Sequence, residues 1–509
     1  MVFKGNIDYL NENEICIRLR ATQQNSSVLP SDSLYAIEHD AMDTTFRSMY
    51  QGLYAFMSAT KERRDLLLSQ REPQFDVALD KQIAEAADDF TRIALKAKAA
   101  KDYFLLVGPP GTGKTSCALK KMVETFYKEE GAQILLLSYT NRAVDEICKA
   151  LSSIRPEVDF IRVGSELSCD ENYRDHLIEN ELATCMRRTE VCERINRCRI
   201  LVGTVASISG KPELFRLKHF DVAIVDEATQ ILEPQLLGIL CAKGENGKEG
   251  VGKFILIGDH KQLPAVVLQN TEQSEVYDEA LSAVGLKNLK DSLFERLYRT
   301  ARQHTDAHRT YDMLCRQGRM HPEVALFANQ AFYEGRLLPV GLPHQLEDSG
   351  NINRLSFYPS QPEPMGSSAK TNHSEAKIAA RLAATVYKEH SEAFDASRTL
   401  GIITPYRSQI ALIKKEIEVL GISELNQILI DTVERFQGSE RDVIIYSFCV
   451  NYPYQLKFLS NLTEEDGILI DRKLNVALTR ARKQMLLTGV PTLLERNPLY
   501  KSLLKLIES

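Results

Sequence analysis

The chain has 509 residues, 44% hydrophobic content and a formal net charge of -6, with a pI near 6.0. A chain of this length fills more than one core, so two or three domains are expected. No apolar run approaches the roughly 18 residues that span a bilayer, and the start MVFKGNIDYL lacks the pattern of a secretion signal. The sequence therefore argues against a membrane protein and predicts a multidomain soluble protein in the cytoplasm, or in the nucleus if the source has one.

The ten cysteines are spread along the chain, which is typical of reduced thiols in a large intracellular protein rather than of a disulfide framework. The slightly negative net charge does not by itself indicate nucleic-acid binding. It does not exclude such binding either, because a binding channel needs only local positive potential.

The amino end predicts a small β element followed by helices. Residues 2–20, VFKGNIDYLNENEICIRLR, alternate apolar and polar positions around an Asn/Glu turn, which predicts a hairpin. Because a lone hairpin is marginal in water, we expect residues 1–35 to be an incomplete β domain, part of a β barrel whose earlier strands lie outside this sequence. Helical spacing of apolar residues then predicts stalk helices over 36–75.

From residue 101 onward, short apolar strands alternate with helical segments, as a parallel α/β sheet with helices on both faces requires. One predicted sheet comprises 103–107, 134–138, 200–204, 222–226 and 254–258, and a second comprises 399–404, 428–432, 442–448 and 485–489. The stretch 301–360 is predicted to be helical and then irregular. We expect a first α/β domain over 76–300 and a second over 301–509.

The stretch GPPGTGKT at 108–115 directly follows the predicted strand YFLLV and precedes a helical segment. Glycines in the loop let backbone N–H groups turn inward around phosphate oxygens, while Lys114 supplies a cation and Thr115 a hydroxyl for Mg²⁺. The full loop is Gly108, Pro109, Pro110, Gly111, Thr112, Gly113, Lys114 and Thr115. Its spacing and setting predict a nucleotide site, but they do not choose between a kinase, a transporter ATPase, a GTPase and a motor.

The stretch FDVAIVDEATQ brings Asp226 and Glu227 to the end of a core strand. At the carboxyl edge of a sheet with a phosphate loop, such acids are typical of catalysis. Asp226 is expected to hold the metal through its water shell, and Glu227 to polarise the attacking water. FILIGDHKQLPAVV (254–267) repeats this geometry and delivers Asp259 and Gln262 to the same edge, where a glutamine can sense the γ-phosphate or the lytic water.

An ordered series of motifs continues to the carboxyl end: GPPGTGKT, SYTNRAVDEI (138–147), GTVASI (203–208), DEATQ (226–230), GDHKQLP (258–264), GRMHPEV (318–324), GIITPYRSQI (401–410), DTVERFQGSERDVII (431–445) and NVALTRAR (475–482). With this series the chain resembles superfamily 1 helicases of the 1B kind. The group includes the nonsense-mediated-decay RNA helicase, senataxin and the helicase half of the lagging-strand nuclease-helicase. The resemblance covers residues 75–509 and implies two tandem RecA-like P-loop NTPase domains, with ATP in the cleft between them and a nucleic-acid strand across their top.

The resemblance also assigns roles residue by residue. Arg319 and Arg480 are similar to the two family arginines that reach from the second domain to the γ-phosphate, so that hydrolysis depends on cleft closure. Gln82 resembles the glutamine that reads adenine, and Glu440 resembles the residue that approaches the sugar. Gly318 stands where the decay helicase has a tyrosine that stacks on the base, so aromatic stacking must come from elsewhere or be weaker.

On the nucleic-acid side, the resemblance points to residues whose hydroxyls, amides and backbone N–H groups suit phosphate contacts rather than base reading. They are Thr140, Asn141, Thr204, Thr404, Tyr406 and Thr432, and each alone is also an ordinary turn or capping residue. Residues 165–199 fill the place of the family's helical insertion in the first domain. The cysteines of this insertion, Cys169, Cys185, Cys192 and Cys198, lack the tight CxxC pairs of zinc sites, which favours plain thiols over a metal site.

These features predict an ATP-dependent, Mg²⁺-requiring translocase that unwinds DNA or RNA duplexes, with the 5′ to 3′ movement that the 1B resemblance implies. Two other classes stay open: an ATP-switched clamp or remodelling factor that does not separate strands, and a nuclease-helicase whose nuclease lies in an N-terminal or separate domain. A small-molecule kinase is disfavoured because it would have no use for a second sheet ending in NVALTRAR. The sequence does not decide between DNA and RNA, because backbone contacts are shared.

Overall fold

The computed structural model describes residues 5–11, 13–19, 34–37 and 44–508, apart from 246, 268, 304–305, 349, 351–352 and 365–366. The chain divides into two units, Met1–Thr44 and Thr45–Ser509. Within the described residues, no helix has both the length and the apolar character needed to cross a membrane.

The first unit contains the expected hairpin, an antiparallel pair of strands at Gly5–Leu10 and Ile15–Leu19. Asn11 shapes the turn, because its side-chain oxygen accepts hydrogen bonds from the N–H groups of Asn13 and Glu14 at 2.8 and 2.7 Å. The two strands bury little apolar surface between them.

The second unit is built on two parallel sheets, and the first of them has seven strands. In spatial order these are Phe160–Val163, Ile200–Thr204, Ile134–Ser138, Phe220–Val225, Val251–Gly258, Tyr103–Val107 and Tyr311–Met313. The strands predicted for this sheet are all present, with small shifts at their ends. The two edge strands were not predicted, because three or four residues show too little of a pattern.

Both faces of this sheet are buried. Along Tyr103–Val107, Leu105 and Val107 pack into the core on one face, whereas Phe104 and Leu106 pack into the core on the other. This arrangement explains the unbroken apolar run, since a parallel strand covered by helices on both faces has no polar side. The helices up to this sheet's last strand are Thr44–Met57, Lys61–Leu67, Asp80–Ala84, Asp89–Ala99, Lys120–Tyr127, Asn141–Ser152, Ile178–Glu181, Arg188–Arg197, Val205–Ser209, Glu213–Leu217, Glu233–Leu240, Thr271–Ser274, Glu279–Ala283, Leu293–Ala301 and Ala307–Thr310.

The second sheet has five parallel strands, in the order Leu355–Pro359, Ala481–Gly489, Arg441–Ser447, Leu400–Ile403 and Leu429–Asp431. Its edge strand Leu355–Pro359 falls in a stretch that the sequence predicted to be irregular. The helices of this part are Pro322–Phe332, Pro343–Leu346, His373–Glu389, Arg407–Glu418, Val433–Phe436, Leu456–Leu459, Arg472–Leu478, Pro491–Leu494 and Pro498–Glu508. Two small pairs of strands, Arg316–Gln317 with Leu338–Pro339 and Leu462–Glu465 with Ile468–Asp471, lie outside the main sheet.

The two sheets with their helices form two RecA-like domains. The first sheet continues to Met313, so strand pairing in this domain reaches past residue 300. The insertion at 165–199 contains the helices Ile178–Glu181 and Arg188–Arg197 joined by short turns. Arg194 joins the insertion to the rest of the domain, because its guanidinium lies 2.7 Å from Glu181 inside the insertion and 2.9 Å from Asp159 outside it.

Candidate active site

The glycines of GPPGTGKT adopt conformations that other residues resist. Gly111 and Gly113 have φ angles of +73° and +78°, in the left-handed region. A Cβ on Gly108 would lie 2.1 Å from Cγ of Lys114, so only glycine leaves room for the lysine to lie over the loop. The N–H of Gly108 donates to the carbonyl of Gly258 at 2.9 Å, which ties the loop to the neighbouring strand.

Asp226 and Glu227 follow the strand Phe220–Val225 and meet the phosphate loop. The hydroxyl of Thr115 donates a hydrogen bond to the Asp226 carboxylate. Nζ of Lys114 lies 3.4 Å from Oε1 of Glu227. Glu227 has a φ of +52°, a conformation that is costly for a residue other than glycine and that is typical of functional sites.

The carboxyls of Asp226 and Glu227 together carry more potential negative charge than the neighbouring Lys114 ammonium balances. Burial and the charge of Glu227 raise the pKa of Asp226 to about 6, against the opposing effect of Lys114. Burial is the largest influence on Glu227 and disfavours its ionised form, but the Lys114 ammonium and the hydrogen bond from Gln230 together outweigh burial and lower the pKa of Glu227 below its usual value. Carboxylate and hydroxyl oxygens are the ligands that Mg²⁺ prefers, so Asp226 and Thr115 fit this cation.

Gln262 and Asp259 follow the next strand of the sheet and are buried. Nε2 of Gln262 donates to Oδ2 of Asp259 at 2.7 Å, and the Tyr333 hydroxyl donates to the same oxygen at 2.7 Å. Nδ2 of Asn475 in turn donates to the Tyr333 hydroxyl oxygen at 2.9 Å. Burial and the Asp259 charge raise the pKa of Tyr333 well above its usual value, which keeps the hydroxyl protonated. Since Tyr333 and Asn475 belong to the second domain, this network links the two domains.

Two arginines from the second domain reach this side of the first. Nη2 of Arg480 donates to Oε1 of Gln262 at 3.2 Å. Arg319 lies against the phosphate loop, because a Cβ on Gly111 would be only 2.4 Å from Cβ of Arg319. The N–H of Gly318 donates to the Gly111 carbonyl at 2.8 Å. Burial and the neighbouring Arg319 charge lower the pKa of Arg480 to about 9, which leaves it protonated at neutral pH.

The residues expected to contact the sugar and the base, Glu440 and Gln82, do not lie together in one cluster as the residues at the phosphate loop do. Glu440 accepts a hydrogen bond from Nε of Arg319 at 2.5 Å. Gln82 is exposed on the helix Asp80–Ala84. A cavity of about 460 Å³ beside the phosphate loop is lined by residues 86–90, 92 and 314–316, and Gln82 is not among them.

The residues expected to contact nucleic acid in the first domain stand at the ends of strands and begin helices. The hydroxyl oxygens of Thr140 and Thr204 accept hydrogen bonds from the N–H groups of Ala143 at 3.2 Å and Ser207 at 3.0 Å. Both threonines therefore cap the helices that follow. Asn141 is the first residue of the helix after Thr140.

In the second domain the corresponding residues differ in how they are paired. The Thr404 hydroxyl is buried and makes no hydrogen bond to any described residue. The Tyr406 hydroxyl oxygen accepts from Nε2 of Gln455 at 3.1 Å. Thr432 precedes the helix Val433–Phe436.

The four cysteines of the insertion are free thiols: Cys169 and Cys198 are buried, and Cys185 and Cys192 are half-buried. Over the described ranges, no three His, Cys, Asp or Glu side chains are grouped so that they could hold a metal ion.

Sequence reasoning missed Tyr333, Asn475 and Phe90. Tyr333 lies outside every motif, and no local pattern marks it. Asn475 lies inside NVALTRAR. A single amide among apolar residues on a buried helix indicates a buried hydrogen bond, so the sequence did carry a signal for this residue. Phe90, which lines the cavity beside the loop, looks like an ordinary apolar helix residue.

A phosphate loop and paired acids on one RecA-like domain, faced by arginines from a second, define the class of ATP-hydrolysing helicases. Two models of AAA domains match the chain, one over residues 82–191 and 180–270 and the other over 289–492. The DNA replication ATP-dependent helicase/nuclease DNA2 of Bos taurus is 27% identical, over 99% of this chain and 48% of that protein. DNA2 of Homo sapiens is 28% identical, over 94% and 46%. DNA2 of Saccharomyces cerevisiae is 26% identical, over 87% and 29%.

The two domain models and the DNA2 relatives support a superfamily 1B helicase, and the chain is similar to the helicase half of DNA2. It spans about half the length of the first curated relatives it matches. A solved complex of Arterivirus nonstructural protein 10 (helicase) with DNA aligns at 16% identity over 82% of this chain and 65% of that chain. Its TM-score of 0.39 is too low to bear on fold or function.

Proposed function

We propose that this chain is an ATP-dependent helicase that moves 5′ to 3′ along single-stranded DNA and separates the duplex ahead of it. One observation carries the proposal: the groups suited to hydrolysis are divided between two domains, with Gln262 of the first in contact with Arg480 of the second. A site that is complete only when the cleft is closed makes each hydrolysis event depend on the relative position of the two domains.

On the first domain, Lys114 holds the terminal phosphates and Glu227 orients the attacking water and accepts its proton. Thr115 and Asp226 hold Mg²⁺, which neutralises phosphate charge when it is bound. The raised pKa of Asp226 supports this role, because a buried acid next to another acid is stabilised by a cation.

From the second domain, Arg480 and Arg319 stabilise the negative charge that develops on the phosphate oxygens. Gln262 holds Arg480 in place and senses the γ-phosphate. Glu440 positions Arg319 through their ion pair.

The DNA strand lies across both domains and is held by its phosphates. Its contacts are the residues at the strand ends: Thr140, Asn141, Thr204, Thr404, Tyr406 and Thr432. The Thr404 hydroxyl supports this proposal, because it is buried without a hydrogen-bond partner among the described residues and such a hydroxyl is costly until a ligand satisfies it. The name of the relatives favours DNA over RNA, and a DNA track implies work in the nucleus if the source cell has one.

The test is ATP hydrolysis by the purified chain alone, with single-stranded DNA and with single-stranded RNA, using Lys114→Ala as the blank. We expect stimulation by DNA of about tenfold or more, less with RNA, and no hydrolysis by the variant. Equal rates in all three conditions would contradict coupling between the strand and the cleft.

Strand displacement separates the helicase from the ATP-switched clamp. Duplexes with a single-stranded 5′ tail should be opened, and duplexes with a 3′ tail should not. Stimulated hydrolysis with neither duplex opened would favour the clamp.

The relatives are named helicase/nucleases, whereas we propose that residues 1–509 by themselves do not cut nucleic acid. The acid pair at the phosphate loop, Asp226 and Glu227, is engaged by Thr115 and Lys114. Over the described residues, no three His, Cys, Asp or Glu side chains are grouped so that they could hold a metal ion. Incubation of the chain with end-labelled single-stranded DNA and Mg²⁺ should leave the DNA intact, and cleavage that copurifies with the chain, whether or not Lys114→Ala abolishes it, would contradict this proposal.

A further inference from the structure

The helix Arg472–Leu478 of the second domain lies against the first domain and leads directly to Arg480. Nδ2 of Asn475 donates to the Lys261 carbonyl of the first domain at 2.6 Å. Nε of Arg480 donates to the Val476 carbonyl at 3.0 Å, so the Arg480 guanidinium is held on the same helix. The position of this helix therefore sets where the Arg480 charge lies relative to the first domain.

An ion pair at the first residue of this helix joins it to the first domain. Nη2 of Arg472 donates to Oε1 of Glu295, which belongs to the helix Leu293–Ala301. Glu295 is 3% exposed, and the Arg472 side chain is 12% exposed. A charged hydrogen bond of this kind is directional, and the loss of either partner leaves an uncompensated buried charge. The pair therefore fixes the start of the helix at a defined place on the first domain.

The local sequence directs one oxygen of Glu295 at this contact. In the stretch DSLFER (291–296), Ser292 and Glu295 form a capping box. The N–H and the hydroxyl of Ser292 donate to Oε2 of Glu295 at 2.9 and 3.0 Å, which holds the carboxylate in place. The capping box accounts for Oε2, but it does not account for the bond that Oε1 accepts from the other domain.

The surrounding charges support the ionised pair. Burial is the largest influence on Glu295 and disfavours its carboxylate, but the Arg472 charge and the hydrogen bond from the Ser292 N–H help to outweigh burial and lower the pKa of Glu295 below its usual value. A second ionic contact lies beside the first. Arg302, at the end of the helix that carries Glu295, lies 3.2 Å from Glu465 in the hairpin that precedes Arg472.

We propose that Glu295 is a positioning residue that acts through Arg472: it holds the helix Arg472–Leu478 on the first domain so that Arg480 meets the γ-phosphate in the geometry that hydrolysis needs. This inference rests on the proposed function for the role of Arg480 and adds what positions it. A misplacement of about 1 Å can cost about 100-fold in rate, so a contact several residues away from Arg480 can govern hydrolysis.

The first test is steady-state ATP hydrolysis with saturating single-stranded DNA. Glu295→Gln removes the charge and keeps a side chain that a capping box accepts, and Arg472→Met removes the charge at similar length. Each should lower kcat by about tenfold or more and leave KM for ATP within about twofold, because Lys114 is unchanged. The contact uses one nitrogen of Arg472, so Arg472→Lys should keep kcat within about threefold of the unchanged chain.

The double variant separates positioning from stability. Either single change leaves a buried charge without its partner, whereas Glu295→Gln combined with Arg472→Met leaves none. Denaturant unfolding of the double variant should therefore return towards that of the unchanged chain, while kcat stays as low as in the single variants. Recovery of kcat together with stability would overturn the proposal, because the pair would then be structural support alone.

An ion pair on the next residue of the same helix gives a matched control. Arg296 is 1% exposed and pairs with Glu233 at 2.5 Å, but both residues lie in the first domain. Glu233→Gln should also lower stability, and it should leave kcat within about twofold. An equal loss of kcat in Glu233→Gln and Glu295→Gln would overturn the proposal.

Hydrogen exchange tests the same contact without hydrolysis. In the absence of nucleotide, the amides of residues 473–480 should exchange at least about tenfold faster in Arg472→Met than in the unchanged chain, and at the unchanged rate in Glu233→Gln. Equal exchange in the two variants would overturn the proposal. If the unchanged chain hydrolyses no ATP with DNA, the proposed function fails, and the exchange rates still decide whether Glu295 and Arg472 hold this helix.

Discussion

Each of the two sheets has a buried carboxyl at the carboxyl end of a central strand. Asp226 follows Phe220–Val225 in the first sheet. In the second, Glu375 accepts hydrogen bonds from the Ser447 hydroxyl and the Cys449 N–H, both at 2.7 Å, at the end of Arg441–Ser447. Burial is the largest cause of a raised pKa in both, to about 6 for Asp226 and about 7 for Glu375.

The surroundings of the two carboxyls differ. Asp226 is next to the charged groups of Glu227 and Lys114. Glu375 contacts neutral groups, which also include the Ser360 hydroxyl at 3.4 Å. A buried carboxyl at this edge of a sheet therefore suits ligand binding where charged neighbours leave the charge unbalanced, as at Asp226. It serves as structural support where neutral groups already satisfy it by hydrogen bonds, as at Glu375.

Within the second domain, the largest effect should come from Arg480→Ala, which removes the charge that this domain places at the first. We expect hydrolysis stimulated by DNA to fall by about 10³-fold or more, with a smaller change in nucleotide affinity because Lys114 is intact. Arg496→Ala, at an exposed arginine of the same domain, is the matched control. A loss below tenfold would contradict the division of catalysis between the two sheets.

Asp226→Asn should abolish hydrolysis and yet stabilise the free protein above pH 6. Its folded-state pKa of about 6 lies above the usual 3.8, so the folded chain retains a proton that the unfolded chain has released in that window. Ionised Asp226 therefore lowers the free energy of unfolding at pH values above this range. The asparagine side chain carries no charge, so the variant avoids this loss of stability. Thermal unfolding at pH 5 and pH 8, without Mg²⁺ or nucleotide, should show a gain that is larger at pH 8. A lower melting temperature at pH 8 would speak against it.

Glu375→Gln should stabilise the protein without loss of hydrolysis. The folded-state pKa of about 7 exceeds the usual 4.5, so ionisation costs stability as pH rises through this window, up to an upper bound of about 3 kcal/mol. Denaturant unfolding should show almost no difference near pH 4.5 and a growing advantage of the variant up to pH 8. A variant that is less stable at pH 8, or that hydrolyses ATP more than twofold more slowly, would show that this carboxylate is needed in its charged form.

The smallest effect is expected at a contact that joins the two sheets. Nη1 of Arg142 donates to Oγ of Ser439 at 3.0 Å, and the Ser439 carbonyl accepts from Nη1 of Arg480 at 3.4 Å. Arg142→Ala and Ser439→Ala should each lower the stimulated rate several-fold by loosening Arg480, and the double variant should be no worse than either. Additive losses, or a loss only in DNA affinity, would assign Arg142 to phosphate binding instead.

The sequence by itself determined the two α/β domains, and it predicted which polar groups stand at the ends of their strands. The run YFLLV before GPPGTGKT and FDVAIV before Asp226 predicted the strands and the groups they deliver, because apolar periodicity and loop spacing act over a few neighbouring residues. The resemblance supplied Arg319 and Arg480, but it also favoured Gln82, which lies outside the cavity beside the loop.

Only the tertiary structure decided which of these groups meet. The hydrogen bond from Asn475 to Tyr333 joins residues 142 positions apart, and the one from Arg480 to Gln262 spans 218 positions. It also decided that Phe90 borders a cavity while similar residues on its helix are buried in the core. The first of these bonds depends on how distant segments of the second domain pack, and the second depends on how the two domains pack against each other. Short-range sequence patterns carry no information on such packing.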